Sequence, residues 1–173
     1  MSEPVQDKPT VTPEGKSIAK LPDGISFRDS ATHIDERGTL CEIFDPRWGW
    51  SSHPLTNVYM VTIRPGVIKG WALHKLHEDR YFVVSGEMEV VLYDARPESS
   101  TYGLVSVVPL SWYNRRMMNI PAGIWHADRN IGSQDVMLIN CPTRPYDYEN
   151  PDKYRLPLDT DQIPYRFDNP RGW

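Results

Sequence analysis

Residues 80–93 read RYFVVSGEMEVVLY, two runs of β-branched, aromatic and other apolar residues on either side of Ser85 and Gly86. Runs of this composition are typical of β-strands, and a glycine between two runs supplies the positive φ that a tight turn needs. The stretch predicts an antiparallel hairpin that turns at Gly86. Similar short runs recur at residues 38–44, 57–64, 104–108 and 136–140, and no segment shows sustained helical periodicity. We therefore expect an all-β fold.

The composition supports this fold class and limits the function. The 173 residues suffice for one domain with a continuous core, and 11 glycines with 16 prolines favour turns over long helices. A net charge of −4 gives no general attraction to nucleic acid or to a membrane surface. Two isolated cysteines and no apolar run of about 18 residues or signal-like start predict a cytoplasmic protein with free thiols.

The chain divides into a short arm and one domain. Residues 1–23 are polar and contain four prolines, which predicts a flexible or partner-docked N-terminal arm. Residues 24–173 form the predicted single β domain. The text after Cys141 is rich in proline and tyrosine, so we expect it to wrap over the barrel without extending its sheets.

Two polar segments carry the candidate chemistry. The first, residues 74–79, reads HKLHED and precedes the first strand of the predicted hairpin; the second, residues 121–130, reads PAGIWHADRN. Together they resemble the paired motifs of the cupin superfamily. The second motif is complete, whereas the first has His74 and Asp79 in place but Ala72 where the first histidine normally stands. The resemblance implies a cupin double-stranded β-helix, a mostly antiparallel jelly-roll barrel.

A closer resemblance, over residues 33–166, is to the dTDP-4-dehydrorhamnose 3,5-epimerases and the related dTDP-sugar ketoisomerases. It is carried by DERGTLCEIF at 35–44, GVIKG at 66–70 and IPAGIWH at 120–126. This resemblance implies proton transfer next to the ketone of a nucleoside-diphosphate, dTDP-linked, 4-keto-6-deoxy sugar. It also implies a homodimer that needs no cofactor and no metal.

The resemblance assigns roles to particular residues. His74 is the candidate base, with a carboxylate partner at Asp161 or its rival Asp159, and His126 is a second catalytic histidine. The family's proton-returning tyrosine is absent from 138–141, LINC, so Tyr146 is the candidate replacement and Tyr148 an equal alternative. The residues expected to contact the substrate are Arg37, Glu42, Lys69, Arg80 and Trp125.

Two other functions remain open from the sequence. His74, Asp79 and His126 together make the two-histidine, one-carboxylate set of a metal-dependent cupin oxygenase or isomerase. The missing tyrosine and Ala72 also suit a non-catalytic sugar-binding cupin. His77 falls among charged neighbours and is expected in a solvated loop.

Overall fold

The computed structural model describes residues 3–173, which contain twelve β-strands and a short 3-10 helix at Pro46–Trp48. The strands are β1 Ser26–Asp29, β2 Thr32–Asp35, β3 Gly38–Cys41, β4 Tyr59–Ile63, β5 Ile68–Leu73, β6 Asp79–Ser85, β7 Glu87–Asp94, β8 Val105–Ser111, β9 Arg116–Ile120, β10 Ile124–Asn130, β11 Val136–Asn140 and β12 Tyr154–Arg155. Among these residues no helix is long and apolar enough to cross a membrane.

Ten of the strands form two five-stranded sheets, and β2 and β3 form a separate two-stranded ribbon. The sheet orders are β1-β9-β6-β11-β4 and β12-β5-β10-β7-β8, and every strand pair within them is antiparallel. The expected all-β, mostly antiparallel jelly-roll barrel is confirmed.

The predicted hairpin at residues 80–93 is wrong in its pairing. Both runs are strands, and Gly86 between them has a φ of 83° as expected. However, β6 pairs with β9 and β11, while β7 pairs with β8 and β10 in the other sheet. The turn therefore carries the chain from one sheet to the other. Local sequence predicts that the chain turns at Gly86, but it does not predict which strands β6 and β7 pair with.

The barrel interior is mostly apolar, with a few buried polar side chains, among them Asp79 and Asp128. Alternate side chains of β6 and β7, among them Tyr81, Val83, Met88 and Val90, point into the main core. On the outer face of the second sheet, Trp71 is fully buried beneath the C-terminal segment. Contrary to expectation, this segment does extend the sheet, because it contributes the two-residue edge strand β12 next to β5. It also covers the part of β5 that β12 leaves open, since the backbone N–H of Gly70 donates to the carbonyl of Trp173 at 2.7 Å.

Within the described N-terminal residues 3–23, the contacts with the barrel lie near residues 20–23. Residues 3–20 are exposed almost throughout, whereas Pro22 is buried. Ser106 donates to the carbonyl of Lys20 and the N–H of Asp23 donates to Thr101, both at 2.7 Å. A separate arm at residues 1–23 stays a prediction, and Met1 and Ser2 lie outside the described residues.

Candidate active site

A cavity of about 610 Å³ opens at one mouth of the barrel. Its floor carries His74 and His77 from the connection between β5 and β6, and Tyr59 from β4 forms one side. The segment 142–153, rich in proline and tyrosine, supplies most of the remaining wall. The cavity is therefore bounded partly by the sheets and partly by the chain that wraps over them.

Asp79, the first residue of β6, is the centre of the polar layer below this cavity. Only 2 % of its surface is exposed, and its Oδ2 lies 3.3 Å from Nε2 of His74 and 3.5 Å from Nε2 of His126. Its Oδ1 accepts a hydrogen bond from the side-chain amide of Asn140 at 2.7 Å. Two strands of one sheet and two regions of the other thus meet at one carboxylate.

Backbone carbonyls set the tautomers of both histidines. Nδ1 of His74 lies against the carbonyl of Asp152, and Nδ1 of His126 lies 3.3 Å from the carbonyl of Ile124. A carbonyl only accepts hydrogen bonds, so each Nδ1 carries a hydrogen. In the neutral rings the lone pair then resides on Nε2, the atom that faces Asp79.

Burial and the central carboxylate divide the pKa values of this layer. Burial would raise the pKa of Asp79, but the contact with His74 and the charges of His126 and His74 outweigh it and hold that pKa well below its usual range. Burial lowers the pKa of His126 to about 4, so its ring is neutral at pH 7. For His74 burial acts in the same direction, but the bond to Asp79 and its charge outweigh it and raise the pKa. The pKa of His74 is therefore shifted upward and that of His126 downward, although both rings face the same carboxylate.

His77 belongs to the site, and its predicted place in a solvated loop is wrong. Its ring stacks on that of His74 at 4.1 Å between centroids, and its Nδ1 donates to Asp152 at 2.9 Å. The carboxylate of Asp152 also accepts the backbone N–H groups of Lys75 and Leu76. Sequence reasoning missed Asp152 because it lies about 75 positions beyond the histidines that it orients.

Arg80 does not point into the cavity, and the structure corrects its assignment to phosphate binding. Its side chain is fully buried, and its N–H groups are directed at the hydroxyl of Ser51 and at four backbone carbonyls, those of His53, Pro54, Cys141 and Pro142. A guanidinium has five N–H donors, so none remains for a ligand. Arg80 instead fixes the loop at 51–54 against the end of β11.

Trp125 and Asp161 are also placed away from the expected contacts. Trp125 packs with the cluster beneath the C-terminal segment, because adjacent residues of a strand face opposite sides and His126 faces inward. The side chain of Asp161 is almost fully exposed and pairs with Arg166. The carboxylates beside the histidines are Asp79 and Asp152, so the expected partnership between Asp161 and His74 is not formed.

The remaining predicted residues lie at different distances from the cavity. Tyr146 lines the cavity wall and is about half exposed. Lys69, on β5, lines a separate small depression next to the C-terminus. Arg37 and Glu42 are exposed on and just after the β2–β3 ribbon, where Arg37 pairs with Asp35. The described chain by itself therefore does not bring Arg37, Glu42 or Lys69 to the cavity.

Comparison with protein families gives a match over most of the chain. The family described as dTDP-4-dehydrorhamnose 3,5-epimerase matches residues 19–164. The "Probable low-salt glycan biosynthesis epimerase Agl13" of Haloferax volcanii is 36 % identical over 137 residues, which are 78 % of this chain and 87 % of that protein. The spore coat polysaccharide biosynthesis protein SpsL of Bacillus subtilis is 30 % identical over 145 residues, 84 % of this chain and 95 % of that protein.

Solved structures of similar proteins share the fold. A dTDP sugar isomerase from Desulfovibrio desulfuricans superposes with a TM-score of 0.77 at 26 % identity, over 83 % of this chain and 90 % of the other. NovW, a 4-keto-6-deoxy sugar epimerase from Streptomyces spheroides, gives a TM-score of 0.73 at 21 % identity, over 90 % of this chain and 81 % of the other. At that identity the second match supports the barrel fold alone.

The anchoring role of Arg80 predicts an effect on stability. We expect Arg80→Lys to lower the free energy of unfolding by about 3 kcal/mol, because lysine has three donors for the five acceptors around the buried guanidinium. Chemical denaturation measures this change, with exposed Arg64→Lys as the matched control. Unchanged stability together with a tenfold or greater loss of dTDP affinity, about 1.4 kcal/mol or more, would restore the phosphate assignment.

Proposed function

The chain belongs to the dTDP-4-dehydrorhamnose 3,5-epimerase family, and from this membership we propose that it epimerises or isomerises a dTDP-linked 4-keto-6-deoxy sugar. The observation that carries the proposal is a histidine beside a buried carboxylate at the floor of a cavity of about 610 Å³. This arrangement suits removal of a proton from the carbon next to a ketone, which needs a base that titrates near neutrality. The free thiols of Cys41 and Cys141 support a further proposal, that the enzyme works in the cytoplasm.

His74 is the proposed base. Its Nδ1 is held by the carbonyl of Asp152, so Nε2 is the atom that accepts the proton. Asp79 lies 3.3 Å from that atom and stabilises the imidazolium that forms. His77, stacked on the same ring and oriented by Asp152, is the nearest alternative base.

The developing negative charge on the ketone oxygen needs a positive or hydrogen-bonding group. Lys153 lines the same cavity and makes no salt bridge within residues 3–173. Its ammonium is the proposed stabiliser of the enolate oxygen. Arg144, exposed on the cavity wall, is the proposed contact for the diphosphate.

A homodimer is the proposed assembly. Strand β4 lies at the edge of its sheet, and one of its sides has no strand partner among the described residues. Met60, on this strand, is 57 % exposed. The β2–β3 ribbon exposes Ile34 by 79 % and Leu40 by 61 %. Apolar side chains beside an open sheet edge favour pairing with a second copy across a two-fold axis. Arg37 and Glu42, on and just after this ribbon, stay proposed substrate contacts.

A metal-dependent isomerase is the second candidate, because one observation favours it. Donor atoms of His74, Asp79 and His126 lie within 4.8 Å of one another, and the separations of 3.3 and 3.5 Å from Asp79 match ligands placed about 2.0–2.2 Å from a zinc ion. Both Nδ1 atoms face carbonyls, as in histidines that bind metals. These residues fit a divalent ion, which would polarise the sugar ketone as a Lewis acid.

His74→Asn tests the base. We expect this variant to lose deuterium exchange at the carbon beside the ketone by at least about 100-fold, because asparagine does not accept a proton near neutral pH. Binding of dTDP should stay nearly unchanged. Proton NMR of dTDP-4-keto-6-deoxyglucose in heavy water and calorimetry with dTDP measure the two effects.

Two variants complete this test. His53→Asn, at a half-exposed ring outside the cavity, is the control and should exchange at the wild-type rate. Exchange that survives in His74→Asn but disappears in His77→Asn would move the base to His77. Wild-type protein that binds dTDP and never exchanges deuterium would favour a sugar-binding protein without catalysis.

Removal of metal separates the two candidate functions. With His74 as base and no metal, we expect full exchange activity after dialysis against dipicolinate, with less than about one-tenth of a metal ion per chain by elemental analysis. The physical reason is that His74 removes the proton without help from a metal ion. Activity that is lost on dialysis and restored by zinc, manganese or iron would support the metal-dependent candidate.

A charge placed on the β4 edge tests the dimer. We expect Met60→Glu to give a monomer at micromolar concentration, because two copies would bury like charges beside the symmetry axis. Light scattering measures the mass, and Val107→Glu, at a 42 % exposed position on β8, is the control. A wild-type protein that is monomeric at this concentration would contradict the proposal.

A further inference from the structure

Epimerisation needs a second proton carrier on the far side of the sugar. A lone base returns the proton to the face from which it came, which exchanges hydrogen with solvent but leaves the configuration unchanged. Inversion requires a donor across the substrate from His74. The inference that follows rests on the proposed function and concerns the identity of this donor.

Tyr59 approaches the cavity from the opposite sheet. His74 follows β5 of one sheet, whereas Tyr59 begins β4 at the edge of the other, and both residues line the cavity. Along β4, the side chains of Val61 and Ile63 pack on the interior core, and Tyr59 lies on the same face by alternation. Its ring therefore faces inward although it stands on an edge strand.

The hydrogen bonds around Asn140 direct the hydroxyl of Tyr59. Asn140 pairs directly across from Tyr59, and its side-chain amide donates to the Tyr59 oxygen at 2.8 Å and to Asp79 at 2.7 Å. The amide cannot be reversed, because its oxygen accepts the backbone N–H of Arg80 at 3.0 Å. Tyr59 is thus the acceptor in this contact and keeps its own hydrogen for another partner. Within residues 3–173 no side chain or carbonyl accepts that hydrogen, and the remaining direction is the cavity.

We propose that Tyr59 is the catalytic acid that protonates the sugar carbon on the face opposite His74. Nε2 of His74 takes the proton as the C–H bond breaks, and the electron pair moves onto the ketone oxygen to give the enolate. The enolate carbon then forms a bond to the hydroxyl hydrogen of Tyr59, and the ketone is restored. Tyrosinate and imidazolium each return to their starting state by proton exchange with solvent, so the reaction needs no oxidant or reductant.

The surroundings of Tyr59 suit this cycle. Burial and then the charge of Asp79 raise the pKa of Tyr59 to about 12, so the hydroxyl is protonated at neutral pH. The N–H of Asn140 stabilises the tyrosinate when it forms. An enolate carbon is a much stronger base than tyrosinate, and the transfer is therefore downhill despite the raised pKa.

Tyr146 and Tyr148 are less suited to this role. Both lie on the wrapping segment, where they are 52 % and 88 % exposed and contact each other edge to face at 5.0 Å between centroids. Neither joins the hydrogen-bond network of Asp79 among the described residues. We therefore assign to Tyr59, on β4, the proton-returning role that the sequence analysis gave to Tyr146.

Tyr59→Phe tests the proposal with a split readout. In heavy water with dTDP-4-keto-6-deoxyglucose, we expect inversion to fall by at least about 100-fold, since the acid is removed. Deuterium exchange with retained configuration, catalysed by His74, should continue within about threefold of the wild-type rate. A merely structural role would reduce both rates together. Tyr113→Phe, at a 75 % exposed position in the loop after β8, is the control and should change neither rate.

Three outcomes would overturn the assignment. Inversion at the wild-type rate in Tyr59→Phe excludes the residue as the acid. Loss of inversion in Tyr146→Phe with Tyr59→Phe unaffected gives the role to Tyr146. Equal loss of exchange and inversion in Tyr59→Phe, with wild-type dTDP affinity and melting temperature, shows that Tyr59 acts with the base. Wild-type enzyme that exchanges no deuterium would instead overturn the proposed function, and this inference with it.

Discussion

The buried carboxylate of Asp79 is the constraint on which the site depends. An ionised carboxylate out of contact with water costs on the order of several kcal/mol unless polar partners surround it. The amide of Asn140 donates to Asp79, Nε2 of His74 donates to it when that ring is protonated, and Nε2 of the neutral His126 lies beside it. These groups come from β11, from the end of β5 and from β10, so four chain segments meet at one charge. Such a buried polar group is poor evidence for added stability, and its place at the cavity floor points to catalysis.

A second carboxylate lies deeper in the same barrel and behaves in the opposite way. Burial and the charge of Asp79 raise the pKa of Asp128 to about 7. Its Oδ2 contacts the hydroxyl of Tyr81 at 3.2 Å, and its Oδ1 has no hydrogen-bond partner within residues 3–173. The interior therefore favours one negative charge at the level of the histidines, with Asp128 shifted toward its neutral form. Two carboxylates with pKa values pushed apart by their surroundings are typical of sites that transfer protons.

The sequence predicted the barrel and the two histidine-containing segments that the structure brings together at Asp79. These predictions rest on local patterns, namely strand composition, the two histidine segments and the position of Asp79. Such patterns involve residues that are close in sequence, so they can be recognised without knowing the strand pairing. The sequence could also have shown that Trp125 does not face the cavity, because it adjoins His126 in a strand and adjacent residues face opposite sides. His77 and Asp152 were missed because their contact depends on a segment that returns over the barrel. The pairing of Tyr59 with Asn140 depends on the register of β4 against β11, which no local signal encodes. The sequence also predicted Arg80 as a ligand contact, because the backbone carbonyls that accept its hydrogen bonds come from distant parts of the chain.

The wrapping segment completes the site as well as covering it. Asp152 accepts the N–H groups of Lys75 and Leu76 and orients His77 through its carboxylate, while its own carbonyl orients His74. One residue of this segment thus contacts both histidines that face the cavity. The same stretch supplies Arg144, Tyr146 and Lys153 to the cavity wall. About a dozen residues therefore hold the proposed base and also supply the proposed substrate contacts. We therefore expect substitutions in residues 142–153 to alter the preferred sugar while Asp79 and the barrel stay the same.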